Sequence, residues 1–259
     1  MTERRTHTPK DTHYANLRRA HRERARSGPE AAQEPDVGVR LYGIHTVQAA
    51  LANPARRHHR LLATRNALNR LELDESALPC PLEMVEPRDL DKMLGEDAVH
   101  QGVVLECEPL PVRRLSDIGD AALILVLDQV TDPHNVGAIL RSATAFGAGA
   151  LVTTSRHSPQ ESGVLAKAAS GALEHVPYVQ IGNLADGLNE LHERGYLTVG
   201  LDSDGPLELE PTLAGEKIAL VLGSEGKGLR QKTRETVSAL ARLEMPGAIR
   251  SLNVSNAAA

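Results

Sequence analysis

The 259-residue chain has no tryptophan, one phenylalanine and four tyrosines. A protein that reads single-stranded RNA by stacking bases on rings wants more of them, so ring stacking is not expected to carry recognition here. Two cysteines, Cys80 and Cys107, are too few for a disulfide framework or a cysteine metal site. No metal is expected, and the thiols suit buried positions in a reducing, cytoplasmic setting. No stretch approaches the ~18 apolar residues of a membrane span. No apolar segment of the secretory type opens the chain, so neither membrane nor export is expected. An arginine-rich start imitates a transit peptide, but Glu3, Asp11 and Glu23 interrupt it. Also missing are the G-x-G-x-x-G dinucleotide fingerprint and the Walker phosphate loop, which argues against a nicotinamide oxidoreductase and a P-loop nucleotidase.

Charge is unevenly spread. Eight basic residues against three acids leave residues 1–26 at +5, so the remainder carries −10 of the overall −5. A basic arm on an acidic body suits a polyanionic partner, and a solvated tail has the same composition. Residues 1–36 are polar and lack apolar periodicity, which predicts a disordered arm. Residues 37–108 alternate strand and helix patterns in the order βαβαβαβ, with strands expected near 39–43, 60–64, 82–85 and 101–105. Arg56, Arg57, His58, His59 and Arg60 run in sequence there, and Arg65 follows. Such a run predicts a surface facing RNA phosphates, with a solvated face as the plain alternative. Residues 109–120 read as a proline-punctuated linker.

Residues 121–259 read as a second α/β unit. The uninterrupted apolar run 121–127 suits a strand buried on both faces of a parallel sheet. Helices are expected at 133–146, 161–170, 184–194 and 229–240, with strands at 150–153, 176–180, 196–201 and 218–222. Alternation of this kind implies right-handed crossovers and helices on both faces of the sheet.

Three segments of this unit carry chemistry. In Asp132-Pro-His-Asn-Val-Gly137 the aspartate can cap a helix with proline at its first position. Val136, Ile139, Leu140 and Ala143 then form the buried stripe. Arg141 falls about 140° from Val136 at ~100° per residue, away from the core. Asn135 sits in the first turn beside free backbone N–H groups, and with Arg141 it could serve a phosphate or a ribose. In Leu220-Val-Leu-Gly-Ser-Glu-Gly-Lys-Gly-Leu229 a buried strand delivers three glycines around Glu225. That is a ligand loop at the carboxyl edge of a sheet. Ser251-Leu-Asn-Val-Ser255 alternates small polar and apolar residues, as a short strand or as a folded-back loop with side-chain to backbone bonds.

Together, in this order and spacing, the three segments resemble the SpoU (TrmH-type) branch of the SPOUT RNA methyltransferases. The resemblance covers the second unit. The small first unit, closing on His100-Gln-Gly-Val103, is similar to the subgroup that methylates a guanosine ribose 2′-hydroxyl in large-subunit (23S) ribosomal RNA. It implies a small RNA-binding domain followed by an α/β domain knotted as a deep trefoil, outside general topology rules. It implies S-adenosylmethionine as cofactor, ribosomal RNA as partner and a homodimer. It also implies that Asn135, Arg141, Glu225, Ser251 and Asn253 are catalytic. Gly223, Leu243, Met245 and Leu252 would hold the cofactor, with Thr153 and Thr154 bordering it, and a further C-terminal helix would follow residue 259. The family usually carries Ile-Pro-Met where this chain has Leu243-Glu-Met245, which implies a less rigid loop. A transfer RNA methyltransferase of the same branch and a non-catalytic RNA-binding assembly factor are the alternative readings.

Methyl transfer to a 2′-hydroxyl requires aligned reactants and a proton acceptor. The family proposal assigns the proton to the arginine matching Arg141. An arginine stays charged at ordinary pH and is a poor base. Arg141 is therefore expected to clamp the phosphate beside the target ribose.

Overall fold

The computed structural model describes residues 38–248 and 251–259; the arm expected at residues 1–36 lies outside them. The first unit runs β1 (Val39–Tyr42), α1 (Ile44–Ala52), β2 (His58–Ala63), α2 (Arg65–Leu71), β3 (Leu82–Met84), α3 (Pro87–Leu94) and β4 (Val103–Cys107). Its sheet order is β1-β4-β2-β3, with β4 antiparallel to β1 and β2, and β2 parallel to β3. Local chemistry sets the helix starts. Thr64 accepts from Ala67 N to cap α2, and Pro87 takes the first position of α3, where no N–H is needed. The strands alternate faces with period two. Leu41, Leu61, Val103 and Leu105 enter the main core, while Tyr42, Leu62 and Val104 meet Leu90 of α3 on the other side.

At the sheet's rim, Glu106 lies nearly buried between Arg40 and Arg60. Burial alone would raise its carboxyl, but hydrogen bonds from Arg60 and Arg40 outweigh it and hold the group below its ordinary 4.5. A depressed carboxyl contributes stability above its unfolded value and loses it as pH falls through the folded one. Glu106→Gln is therefore expected to lower the melting temperature at neutral pH. The gap to wild type should close in the acid range below 4.5, and thermal unfolding across pH checks this. A gap that widens in acid would contradict the assignment.

The second unit runs β5 (Leu123–Asp128), α4 (Pro133–Ala145), β6 (Ala150–Thr154), α5 (Gly163–Ala169), β7 (Tyr178–Ile181), α6 (Leu184–Glu193), β8 (Leu197–Leu201), β9 (Leu207–Glu208), α7 (Leu209–Thr212), β10 (Ile218–Gly223), α8 (Gln231–Thr236), β11 (Ala239–Arg242) and α9 (Val254–Ala257). Seven strands form one sheet in the order β7-β6-β5-β10-β8-β11-β9, parallel at every pairing. Leu125, Leu127, Leu151 and Leu222 face α4 and α5, in a core continuous with the first unit. Ile124, Val126, Val152 and Val221 face α6 and Leu229 on the opposite side. The strand order reverses between β5 and β10, and ligands of open α/β sheets bind at the carboxyl ends beside such a reversal.

One expectation needs correction. The helix expected over 229–240 ends at Thr236, and β11 follows it. Thr236 and Val237 are β-branched and Ser238 competes for backbone bonds, all of which disfavour a helix. Ser238 N instead bonds Thr198 O and Thr198 Oγ1 on the neighbouring β8. The linker segment 109–120 packs on the second unit. Leu115 and Ile118 are buried, and Arg194 donates to both of their carbonyls.

Candidate active site

Helix α4 fixes the first functional side chain. Asp132 Oδ1 accepts from His134 N at 2.9 Å, and Pro133 follows as the cap pattern requires. Val136, Ile139, Leu140 and Ala143 are buried as the periodicity predicts. Gly137 admits α5 so closely that a Cβ there would lie 2.5 Å from Ala168 Cβ. The helix is thereby locked on its core side, with Asn135 in its first turn.

Strand β10 delivers the second. Gly223 ends it, and the chain folds back so tightly that a Cβ on Gly223 would lie 2.2 Å from the Gly228 carbonyl carbon. Gly228 N donates to Ser224 O at 2.9 Å to close the loop, and Gly226 and Gly228 take positive φ. Glu225 stands at its tip. The third comes from the start of α9, where Asn253 Oδ1 accepts from Ser255 N at 2.9 Å as a helix cap. Val254 beside it is buried in the main core. Of the two readings of segment 251–255, the folded-back loop is the one that forms.

These three side chains meet. Glu225 Oε1 accepts from Asn135 Nδ2 at 3.1 Å and, over a shorter distance, from Asn253 Nδ2. Asn253 Nδ2 also donates to Asn135 Oδ1 at 3.2 Å. Two amides thus pin one carboxylate oxygen. The other has no partner among the described residues and can accept from a ligand hydroxyl.

Glu225 also lines a cleft of about 330 Å³ at the carboxyl ends of β8, β10 and β11. Of the expected cofactor and catalytic residues, Gly223, Leu243, Met245, Ser251 and Leu252 line it too. Its other walls include Leu201, Leu222 and Val254, with Asp202, Asp204, Lys227 and Arg234 supplying charge. Sequence reasoning missed Asp202, Asp204 and Arg234; Lys227 lies in the glycine loop already singled out. Asp202-Ser-Asp-Gly205 follows a strand and ends in a turn residue, a signal for the same sheet edge. Nothing in the sequence marks Arg234, which reaches back to Asp202 from α8.

Other expected residues lie elsewhere. Thr153 and Thr154 do not border the cleft, because β5 stands between their strand β6 and β10. Both are buried; Thr153 Oγ1 bonds Ser158 Oγ, and Thr154 Oγ1 has no partner. Arg141 is exposed, as its helical position predicts, but it lines a separate open groove of about 860 Å³ with His45, Gln48 and His175. The expected phosphate-facing run fails at Arg56, whose side chain is fully buried and paired with Glu161 and Glu174, each at 2.6 Å. Arg57 is exposed and pairs with Glu108, Arg60 pairs with Glu106 and Glu83, and Arg65 is exposed at the start of α2.

A parallel-sheet unit with a carboxyl-edge cleft behind a smaller α/β unit is the fold of the SpoU methyltransferases. The structure of AviRb from Streptomyces viridochromogenes, in complex with the cofactor AdoMet, shares it at a TM-score of 0.71, with 21% identity over 93% of each chain. Residues 122–259 match the SpoU rRNA Methylase family. Residues 40–112 match the RNA 2′-O ribose methyltransferase substrate binding domain. The 23S rRNA (guanosine-2′-O-)-methyltransferase RlmB of Ralstonia nicotianae is 39% identical, over 83% of this chain and 90% of its own. RlmB of Pseudomonas putida is 37% identical over 83% and 91%. The chain belongs to the SpoU rRNA methylase family.

Proposed function

We propose that this chain transfers the methyl group of S-adenosylmethionine to the ribose 2′-hydroxyl of a guanosine in 23S ribosomal RNA. The observation that carries the reading is the carboxylate of Glu225, pinned by Asn135 and Asn253 at a cleft built from glycine-rich backbone. The substrate rests on the names of the RlmB relatives and on the substrate-binding domain at residues 40–112.

The cleft suits the cofactor. Leu201, Leu222, Leu243 and Leu252 offer apolar surface for a flat base, and the Cβ-free loop at Gly223 to Gly228 lets backbone groups approach closely. The three acids Asp202, Asp204 and Glu225 outnumber Lys227 and Arg234 along the lining, a slight negative balance that favours a cation. When bound, S-adenosylmethionine supplies an electrophilic methyl carbon on a sulfonium. In this reading the free oxygen of Glu225 and the Ser251 hydroxyl, both at the cleft, orient the attacking ribose hydroxyl. Asn135 and Asn253 hold Glu225 so that no reorganisation is needed in the transition state. Arg57 and Arg65 are the exposed members of the basic run that remain for RNA phosphates.

The homodimer belongs to the same proposal. It is supported by Phe146 at the end of α4, the chain's sole phenylalanine and 64% exposed, and by Arg141 facing away from its own cleft. The cytoplasmic setting rests on the RNA substrate. The threaded knot is likewise proposed from family membership. No helix among the described residues is long and apolar enough to cross a membrane.

Incubation with S-adenosylmethionine labelled in the methyl group, and with purified 23S RNA or transfer RNA, tests the reading. Label recovered as 2′-O-methylguanosine from 23S RNA is expected. Label in transfer RNA alone would overturn the substrate and keep the chemistry. A full-length protein that binds the cofactor but labels neither would favour an assembly factor.

A further inference from the structure

Asp128 ends β5, opposite Gly223 in the parallel register with β10. Its carboxylate is completely buried, and Arg230 occupies both oxygens, Nε on Oδ1 at 2.6 Å and backbone N on Oδ2 at 2.9 Å. A carboxylate at this depth is retained only with such charge-assisted partners. Arg230 immediately follows the glycine loop that carries Glu225. Asp128 leads along its own chain to Asp132 and the first turn of α4, which carries Asn135. The pair thus spans the two segments whose tips must meet, and neither residue lines the cleft.

We infer that Asp128 and Arg230 form a positioning clamp that sets Glu225 against Asn135. Three glycines give the loop backbone freedom, and within it one antiparallel bridge, between Ser224 and Gly228, closes the turn. The side-chain grip at residue 230 ties the far end of this loop to β5. Releasing it lets Glu225 drift from Asn135, and a misplacement of about 1 Å near reacting groups can cost roughly 100-fold in rate. The kinetic part rests on the methyltransferase reading; the mobility part does not.

Two full-length variants test the clamp: Arg230→Gln, which removes the guanidinium charge on Asp128 Oδ1, and Asp128→Asn, which keeps the shape of the acid. Hydrogen exchange of the 224–230 segment should quicken at least about tenfold in both, with the rest of the sheet unchanged. In RNA methylation kcat should fall at least about tenfold while KM for RNA holds within about twofold, as expected when only transition-state alignment is lost. Arg230→Lys, which keeps the charge on a different, more flexible donor, should recover part of kcat. Wild-type exchange and wild-type kcat in both variants would overturn the inference. So would loss of the whole cooperative unfolding transition in both, which would make the pair a contact of the general fold. If wild-type protein methylates no RNA, the proposed function fails, and the exchange measurement still decides the clamp.

Discussion

Glu225→Gln is expected to lower the rate of methyl transfer by ten- to roughly a hundredfold while the protein stays folded. One oxygen of Glu225 receives Asn135 Nδ2 and Asn253 Nδ2. Glutamine keeps the size but removes the charge that both amides address, and it replaces one acceptor oxygen with a donor. Hydrogen bonds to a charged group contribute about 1.5–3 kcal/mol. Each 1.36 kcal/mol lost from the transition state alone is about a factor of ten in rate. Glu225 is exposed on a loop, so the melting temperature should barely move. Single-turnover methylation beside a thermal unfolding curve separates the two effects. Turnover near wild type would remove Glu225 from the chemistry, and a large loss of stability would make it a structural residue.

Arg56→Met is expected to destabilise the protein by about 3–5 kcal/mol without touching the cleft. The Arg56 side chain has no exposure, and Glu174 beside it has 2%. Arg56 also donates to Glu161 and to the Glu108 carbonyl, and the Cys107 thiol lies 3.6 Å away. Burial opposes the arginine's charge, but the bonds to Glu174 and the charges of Glu161 and Glu174 more than restore it. Methionine fills the space and leaves two carboxylates without their cation, Glu174 at the end of the short turn 172–174 and Glu161 just before α5. At roughly 2–4 °C per kcal/mol for a chain of this size, a fall of about 10 °C in melting temperature follows. Adding Glu174→Gln should restore part of the loss, because one stranded charge is gone. An unchanged melting temperature in Arg56→Met would contradict the buried role. The neighbouring Cys107 thiol, pushed up to about 12 chiefly by burial, is expected to stay unreactive throughout.

Arg56 also shows where sequence reading runs out. Five basic or imidazole side chains in a row look like a phosphate-facing surface, because Glu161 and Glu174 are more than a hundred residues away in the chain. Only the tertiary fold brings those acids to it. A similar separation hides the clamp between Asp128 and Arg230, and the pairing of Arg234 with Asp202 spans 32 residues and two further strands. Patterns closed by local physics are legible. The uninterrupted apolar runs predict β5 and β10, the period-3.6 stripe predicts α4, and the Asp132-Pro133 cap marks the start of α4 to the residue. Strand β11 is not legible in that way. Its backbone pairs with β8, a partner distant in sequence, which overrides a weak local helix pattern. Within the site, the glycine spacing around Glu225 was readable because only a Cβ-free backbone folds back so tightly. The positions of Thr153 and Thr154 were not, since strand order, and not chain order, decides which loops share a cleft.

The central claim is methylation of a guanosine ribose in 23S RNA by a site organised around Glu225. Its most direct measurement is nucleoside mapping of 23S RNA from a host lacking this gene, complemented with wild type or with Glu225→Gln. One 2′-O-methylguanosine should be absent in the deletion, return with the wild-type chain and stay largely absent with the variant. A 23S modification profile identical in all three strains would contradict the account.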